Sequence, residues 1–199
     1  KTPQKNVTEK KMKIVAATAN TDKIKEIKEK LLSIPDLEIV PVSEITDVPE
    51  IPEDAESFEG NALIKARTIC SITGMPSMAD DSGLVVDALN GEPGVYSARY
   101  GGPGLDDKGR YMLLLEKMAD IPDGSRQARF VCVIALVLPD GREFTTTGRC
   151  EGSITRSPSG DSGFGYDPVF YIEERGKTMA QLSMSEKNSL SHRGKALEK

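Results

Sequence analysis

The sequence predicts an α/β fold in which helices pack against a sheet. A short apolar segment at residues 13–17 precedes residues 24–32, where apolar side chains recur at helical spacing. A longer apolar run at residues 129–138 turns at Pro-Asp-Gly-Arg and returns over residues 143–154. Because the run is apolar on both faces, we expect this hairpin to be central. With 199 residues, the chain is long enough to bury most of its apolar surface in one domain.

Composition excludes several classes of function. The net charge of -5 disfavours binding along duplex nucleic acid, and no stripe of Lys and Arg is interleaved with aromatic residues. The longest apolar run, residues 131–138, is too short to span a membrane. The 3 cysteines are an odd number without Cys-x-x-Cys spacing, which favours a reducing compartment, by default the cytoplasm.

The first residues are treated apart from the fold. Residues 1–11 are polar and basic and lack the apolar core of a signal peptide. They are interpreted as a disordered extension or a cloning remnant. Residues 12–199 are expected to form one domain.

The first strand and helix suggest a place for an anion. Strand residues 13–17 lead through the polar turn 18–23 into a helix that ends before Pro35. The N-terminus of that helix would present unpaired backbone N–H groups beside Lys23, as phosphate sites do. The alternative is an ordinary Thr or Asp N-cap.

The next segments bring further charged residues. A second strand at residues 37–42 precedes an acidic, proline-rich loop at residues 45–54, whose acids either lie over a cleft as metal ligands or are simply solvated. Ser57 is expected to cap a helix that runs to Thr73 and carries Lys65 toward the segment 79–86.

Two adjacent acids mark that segment. Asp80 and Asp81 are predicted to lie on a tight turn between strands and to point in opposite directions, so that one of them reaches a reaction centre. Paired acids commonly hold a divalent cation and activate water. The alternative is an Asx-turn in which Asp81 caps Gly83.

The C-terminal third contains aromatic and cationic residues. Phe164 and Tyr166, separated by a glycine, either flank a planar ring or form the hydrophobic plug of a loop. A capping box begins a helix near Met184. Lys187 and His192 would share a ligand if the helix breaks near Ser191, although a single histidine is more often structural.

Six motifs then occur together. In order they are residues 18–23 (Thr-Ala-Asn-Thr-Asp-Lys), 58–67, 79–84 (Ala-Asp-Asp-Ser-Gly-Leu), 93–100, 164–168 (Phe-Gly-Tyr-Asp-Pro) and 191–194 (Ser-His-Arg-Gly). In this order they resemble the inosine triphosphate pyrophosphatase family, also called Ham1 or RdgB-like. The resemblance covers nearly everything after Met12.

The resemblance implies an activity and an architecture. The expected reaction is hydrolysis of ITP, dITP and XTP to the monophosphate and pyrophosphate, with Mg²⁺, in a homodimer. The expected fold is two-lobed, with a mixed, twisted central sheet flanked by helices and a substrate cleft between the lobes. No nucleic acid or membrane partner is expected.

The resemblance also assigns roles by position. Asp81 corresponds to the metal ligand and proposed base, Lys65 to a lysine that meets the phosphates, and Glu53 to a possible second metal ligand. The expected substrate-binding residues are Thr18, Ala19, Asn20, Thr21, Asp22, Lys23, Ser82, Phe164, Gly165, Tyr166, Asp167, Lys187, His192 and Arg193.

Two positions depart from the family pattern. Its phosphate loop usually reads Thr-Gly-Asn-x-Gly-Lys, and here Ala19 and Asp22 replace the glycines. A positive φ at either position would strain the loop. The rival functions are a Maf-like pyrophosphatase acting on modified pyrimidines, a nucleotide-binding regulator without turnover, and a plain acidic metal-binding domain, which would leave the lysines and Arg193 without a role.

Overall fold

The computed structural model describes residues 11–47 and 50–199. The leader expected at residues 1–11 therefore lies, apart from Lys11, outside the described residues. Two positions of the acidic loop, 48 and 49, lie outside them as well. Within the described ranges, no helix is long and apolar enough to cross a membrane.

The described strands form one seven-stranded mixed sheet in the order β2-β1-β3-β4-β5-β6-β7. β1 pairs in parallel with β2 and β3, and the remaining neighbours are antiparallel. The predicted β4–β5 hairpin is confirmed and lies toward the middle of the sheet. The strands are β1 Met12–Ala16, β2 Leu37–Pro41, β3 Ser77–Val86, β4 Gln127–Val137, β5 Glu143–Ile154, β6 Phe170–Ile172 and β7 Lys177–Thr178.

Helices cover both faces of the sheet. The helix α2 packs on one face of β3 and β4 around Ala62 and Ile69, while α1 and α5 pack on the other face around Ile27 and Ala196. A third apolar cluster lies beneath α3 and the C-terminal strands. The helices are α1 Thr21–Leu31, α2 Phe58–Thr73, α3 Asp107–Lys117, α4 Met184–Leu190 and α5 His192–Leu197, and a 3₁₀ segment spans Gly94–Arg99.

The prediction of a turn at Asp80 and Asp81 is wrong. Both residues lie inside β3, where they pair with Ile134 and Val133 of β4. Adjacent acids are rare inside a strand because burial disfavours their charge. Cations from distant parts of the chain compensate them here, and local sequence does not show those cations.

β3 extends beyond its parallel partner and so leaves part of one edge open. β1 pairs with β3 only as far as Ala16 and Met78, and the chain then leaves the sheet toward α1. Farther along, the 3₁₀ segment approaches the same edge, where Ser97 Oγ accepts the N–H of Leu84 at 2.9 Å. A cleft therefore lies along β3 between the N-terminus of α1 and the 3₁₀ segment.

Candidate active site

Asp80 and Asp81 point to opposite faces of the sheet, as the alternation of a strand predicts. Asp81 faces α2, where its Oδ1 accepts from Lys65 Nζ at 2.8 Å and its Oδ2 accepts from Asn61 Nδ2 at 3.4 Å. Asp80 faces α1 and α5, where it forms ion pairs with Lys23 and Arg193. The two acids therefore have separate sets of partners.

Lys65 joins two carboxylates on the α2 face. Its Nζ lies 2.8 Å from Asp81 Oδ1 and 3.0 Å from Glu53 Oε1. Burial alone would lower the pKa of the Lys65 ammonium, but the neighbouring carboxylates, Asp81 first, outweigh burial and leave this pKa raised. Lys65 is therefore charged at neutral pH and balances part of the acidic cluster.

The helix α2 places this lysine as expected. Ser57 Oγ caps the helix by accepting the N–H of Gly60 at 3.1 Å. Asn61 and Lys65, one turn apart, both reach Asp81. The prediction that this helix delivers a cation to the acidic segment is confirmed. Apolar spacing along this helix predicts that Ile72 lies on its buried side, but Ile72 is half exposed.

The Asp81–Glu53 pair suits a hard divalent cation. No group of three or more His, Cys, Asp and Glu side chains with metal-ligand geometry occurs within residues 11–47 and 50–199. Mg²⁺ does not require such a cage, because it usually binds one or two carboxylates together with waters and substrate phosphates. Asp81 and Glu53, which both contact Lys65, supply two carboxylates of the kind that Mg²⁺ binds.

The opposite face holds a buried network of alternating charges. The guanidinium of Arg193 donates to Glu26, Asp80 and Ser82, with its Nη2 3.0 Å from Ser82 Oγ. Lys187 Nζ lies 2.6 Å from Glu26 Oε1 and 2.7 Å from Asp167 Oδ2. Removing any one member would leave an uncompensated buried charge, so the network holds α1, α4 and α5 together.

The same network sets the charge of Asp80. Burial would raise the pKa of this carboxyl, but Arg193 and then Lys23 hold it well below its usual value. Asp80 is therefore an anion at neutral pH and has two cationic partners, Lys23 and Arg193. Its contacts stabilise the fold, and Asp80 does not act as a general base.

A cavity of about 330 Å³ opens beside this network. It is lined by eleven of the predicted substrate-binding residues: Asn20, Asp22, Lys23, Ser82, Phe164, Gly165, Tyr166, Asp167, Lys187, His192 and Arg193. Thr18, Ala19 and Thr21 do not line it, and the Asp81, Lys65 and Glu53 cluster lies outside it. Sequence reasoning missed six lining residues: Gly83, Ser97, Ala98, Asp107, Arg110 and Phe130.

The Phe-Gly-Tyr-Asp segment forms one wall of the cavity. Its Gly165 has a φ of +61° and donates its N–H to Asp107 Oδ2 at 2.8 Å. The Tyr166 hydroxyl donates to the carbonyl of Ser97 at 2.8 Å. Tyr166 is thus buried in the core, whereas the half-buried Phe164 ring faces Lys187 Nζ at 4.7 Å. The two predicted roles therefore fall to different residues. Tyr166 is the hydrophobic plug of the loop, and Phe164 presents a ring face to the cavity.

The helix does break at Ser191, between α4 and α5, which is the condition for Lys187 and His192 to share a ligand. Ser191 N-caps α5 by accepting the N–H of Gly194 at 3.0 Å, and Lys187 and His192 line the same cavity. The His192 ring stacks on Phe130 with centroids 4.7 Å apart. Burial, and then the nearby Arg193, lowers the pKa of His192 well below its ordinary value, so the imidazole is neutral.

The N-terminus of α1 is capped by a side chain. Asn20 Oδ1 accepts the N–H groups of Asp22 and Lys23 at 2.9 and 3.0 Å. The expectation that the first turn presents unpaired N–H groups is therefore wrong for these two. Ala19 and Asp22 do not have a positive φ, so replacing the family's glycines does not strain the loop.

The sequence model of the Ham1 family matches residues 14–199. The chain belongs to the Ham1 family. The six-motif resemblance is therefore confirmed, and it extends over nearly the whole chain.

Individual Ham1 relatives match over almost their whole length. A dITP/XTP pyrophosphatase of Desulforamulus reducens is 48% identical over 188 residues, covering 94% of this chain and 93% of the relative. The dITP/XTP pyrophosphatase of Geobacter sulfurreducens is 47% identical over 185 residues, covering 93% and 92%.

Solved structures of Ham1 proteins have the same fold. A HAM1 protein from Coxiella burnetii superposes with a TM-score of 0.85 at 43% identity, covering 94% of this chain and 95% of that one. The Ham1 protein of Staphylococcus aureus gives 0.83 at 40% identity, covering 94% of both chains. The predicted mixed α/β fold with a central sheet flanked by helices is confirmed.

Proposed function

We propose that this chain hydrolyses the non-standard purine nucleotides ITP, dITP and XTP to the nucleoside monophosphate and pyrophosphate. The observation that carries the proposal is the buried Lys65–Asp81 pair, 2.8 Å apart at the open edge of β3, beside a cation-lined cavity. The relatives named dITP/XTP pyrophosphatases support the choice of substrate.

Asp81 is the proposed general base. Burial raises the pKa of its carboxyl, and the attraction of Lys65 opposes that shift. Among the described residues, Asp81 Oδ2 has only the long 3.4 Å contact from Asn61 Nδ2, so this oxygen can accept a proton from the water that attacks the α phosphorus. Lys65 then neutralises charge on the departing pyrophosphate, and Lys23 does so from the other side of β3.

Asp81 and Glu53 would hold Mg²⁺, which supplies charge neutralisation on the phosphate oxygens and lowers the pKa of bound water. Lys65 lies between these two carboxylates. With a triphosphate bound, the Lys65 ammonium would have a further anionic partner, and the two carboxylates would remain to hold the metal.

The base would be selected by a hydrogen-bond donor. Inosine and xanthosine carry a 6-oxo acceptor where adenosine carries an amino donor. Arg193, one of the expected substrate-binding residues, has its donors engaged by Glu26, Asp80 and Ser82. His192 Nδ1 has no partner within the described residues, which favours His192. His192→Ala should reduce the preference for ITP over ATP, and an unchanged preference would exclude this role.

The family resemblance supports a proposal for assembly, and the cysteines support one for location. We infer a homodimer of the 21.6 kDa chain, to be checked by sedimentation at several protein concentrations. The three cysteines are free and buried, as in proteins of a reducing compartment, which supports a cytoplasmic location.

The decisive experiment is a panel of nucleoside triphosphates, common and deaminated, with pyrophosphate and orthophosphate measured separately. We expect pyrophosphate from ITP, dITP and XTP in the presence of Mg²⁺. Release of orthophosphate, or a preference for modified pyrimidines, would contradict the proposal. Tight ITP binding without turnover would indicate the regulator instead.

A further inference from the structure

Arg110 differs from the other cations of the cavity in having no protein partner. Four basic side chains line this space. Three of them form ion pairs: Lys23 with Asp80, Lys187 with Glu26 and Asp167, and Arg193 with Glu26 and Asp80.

The guanidinium of Arg110 remains unpaired among residues 11–47 and 50–199. Its Nε is buried and has no hydrogen-bond partner there. A buried N–H without an acceptor costs free energy, whereas an oxygen acceptor on a ligand would satisfy it. The side chain is therefore available to the substrate in a way that Lys187 and Arg193 are not.

Arg110 belongs to the wall of the cavity formed by α3. One turn earlier on that helix, Asp107 Oδ2 accepts the N–H of Gly165 at 2.8 Å, which ties α3 to the aromatic loop. His192 lines the same cavity from α5, where its ring stacks on Phe130, a residue of the apolar cluster beneath α3. The imidazole of His192 on α5 and the guanidinium of Arg110 on α3 therefore both border this cavity.

The purines that this site must distinguish differ at C2. Xanthine carries an oxygen there, hypoxanthine a hydrogen and guanine an amino group. A guanidinium has only donors, so it pairs with the oxygen, gains nothing from the hydrogen and conflicts with the amino group. Because guanine shares the 6-oxo group, a reader of C6 alone cannot reject it.

We propose that Arg110 is a specificity-determining residue that donates a hydrogen bond to an oxygen at C2 of the purine. The proposal rests on the proposed function, because it takes the cavity to hold the base of a deaminated nucleotide. With His192 at C6 and Arg110 at C2, the site favours xanthine nucleotides and disfavours guanine nucleotides.

The test compares XTP with ITP in Arg110→Met. Since a hydrogen bond to a charged group is lost only with XTP, we expect kcat/KM for XTP to fall about tenfold or more relative to ITP. The matched control is Lys108→Met, which removes an exposed cation from the same helix and should leave the ratio unchanged. ITP hydrolysis by Arg110→Met reports whether the variant folds.

Binding of the products separates this proposal from the proposed function. The dissociation constants of XMP and IMP, measured by calorimetry, should show the same change of ratio in Arg110→Met, whether or not the chain turns over triphosphates. Arg110→Lys, which keeps the charge but loses the planar fork, serves if the methionine variant does not fold and should also lower the XMP to IMP preference. Equal weakening of XMP and IMP, as for a contact to ribose or phosphate, or no weakening, would overturn the proposal.

Discussion

At the scale of single residues, the two neighbouring acids of β3 differ because a strand sends them to opposite faces. Asp80 lies between Lys23 and Arg193 and is 2% exposed, whereas Asp81 shares Lys65 with Glu53 and is 6% exposed. Burial is therefore nearly equal, and the partners decide the role. Asp80 balances permanent charges, while Asp81 lies beside the proposed phosphate site.

Replacing each acid by its amide should separate these roles. We expect Asp81→Asn to lower kcat/KM by about 100-fold or more through loss of the base, with little change in stability. Asp80→Asn should instead cost about 3 kcal/mol of unfolding free energy, because buried Arg193 and Lys23 lose a charged partner. Steady-state kinetics and urea unfolding measure the two effects. The reverse pattern would contradict the assignment.

Lys65 offers a second test at this scale. Lys65→Met leaves Asp81 and Glu53 without their shared cation, so the metal-free cluster becomes more negative. We expect this variant to bind Mn²⁺, as a probe for Mg²⁺, more tightly than the parent chain when no nucleotide is present, although hydrolysis falls.

Electron paramagnetic resonance of free Mn²⁺ measures that affinity. Lys13→Met, which removes an exposed lysine that pairs with Glu38, is the matched control and should change nothing. Weaker Mn²⁺ binding by Lys65→Met would mean that the two carboxylates do not form the metal site.

At the scale of elements, α5 depends on a close approach to β5. A Cβ added at Gly148 would lie 2.0 Å from the carbonyl oxygen of His192 and 2.5 Å from the backbone nitrogen of Ala196. Both of those atoms belong to the backbone of α5, which cannot yield as a flexible side chain can. The absence of a side chain at Gly148 therefore sets how deeply His192 and Arg193 enter the site.

Gly148→Ala should displace this helix. We expect a loss of about 2 kcal/mol in unfolding free energy, within the range for overpacked sites, together with a higher KM for ITP. Gly124→Ala is the matched control, because a Cβ there meets nothing within 4 Å and the φ is ordinary. Equal stability of the two variants, measured by urea unfolding, would show that α5 is not held this closely.

At the scale of the whole molecule, buried charge makes stability depend on pH. His192 is the single histidine of the chain, and its pKa is held well below 6.5 in the folded state by burial and by Arg193. Above pH 6.5 both states are neutral at this residue. As the pH falls below that value, the unfolded chain takes up a proton that the folded chain does not, so stability decreases.

We expect the difference in unfolding free energy between the parent chain and His192→Gln to change by about 1 kcal/mol between pH 7.5 and pH 5.5. Glutamine keeps a polar side chain but does not titrate in this range. The carboxyl groups are the same in both chains, so their contribution cancels when the two unfolding free energies are subtracted. Urea unfolding at one protein concentration measures it. A difference independent of pH would mean that His192 has the same pKa in the folded and unfolded chains, and a change of opposite sign would mean that the folded protein holds the proton.

Local structure and family membership could be predicted from short stretches of the chain. Periodicity and caps predicted α2 and the start of α4, and the apolar run predicted the central hairpin, because these signals depend on residues a few positions apart. The six ordered motifs predicted the Ham1 resemblance for the same reason. Each motif is local, and only their order spans the chain.

Only the tertiary structure decided how the charges pair. Arg193 reaches Asp80 across 113 residues, and this contact makes a strand interior possible where local sequence indicated a turn. Arg110 shows the converse, since nothing nearby in the sequence reveals that its Nε lies buried and unpartnered in the cavity. Burial and pairing depend on the arrangement of elements in space, and the sequence near one residue does not contain that arrangement.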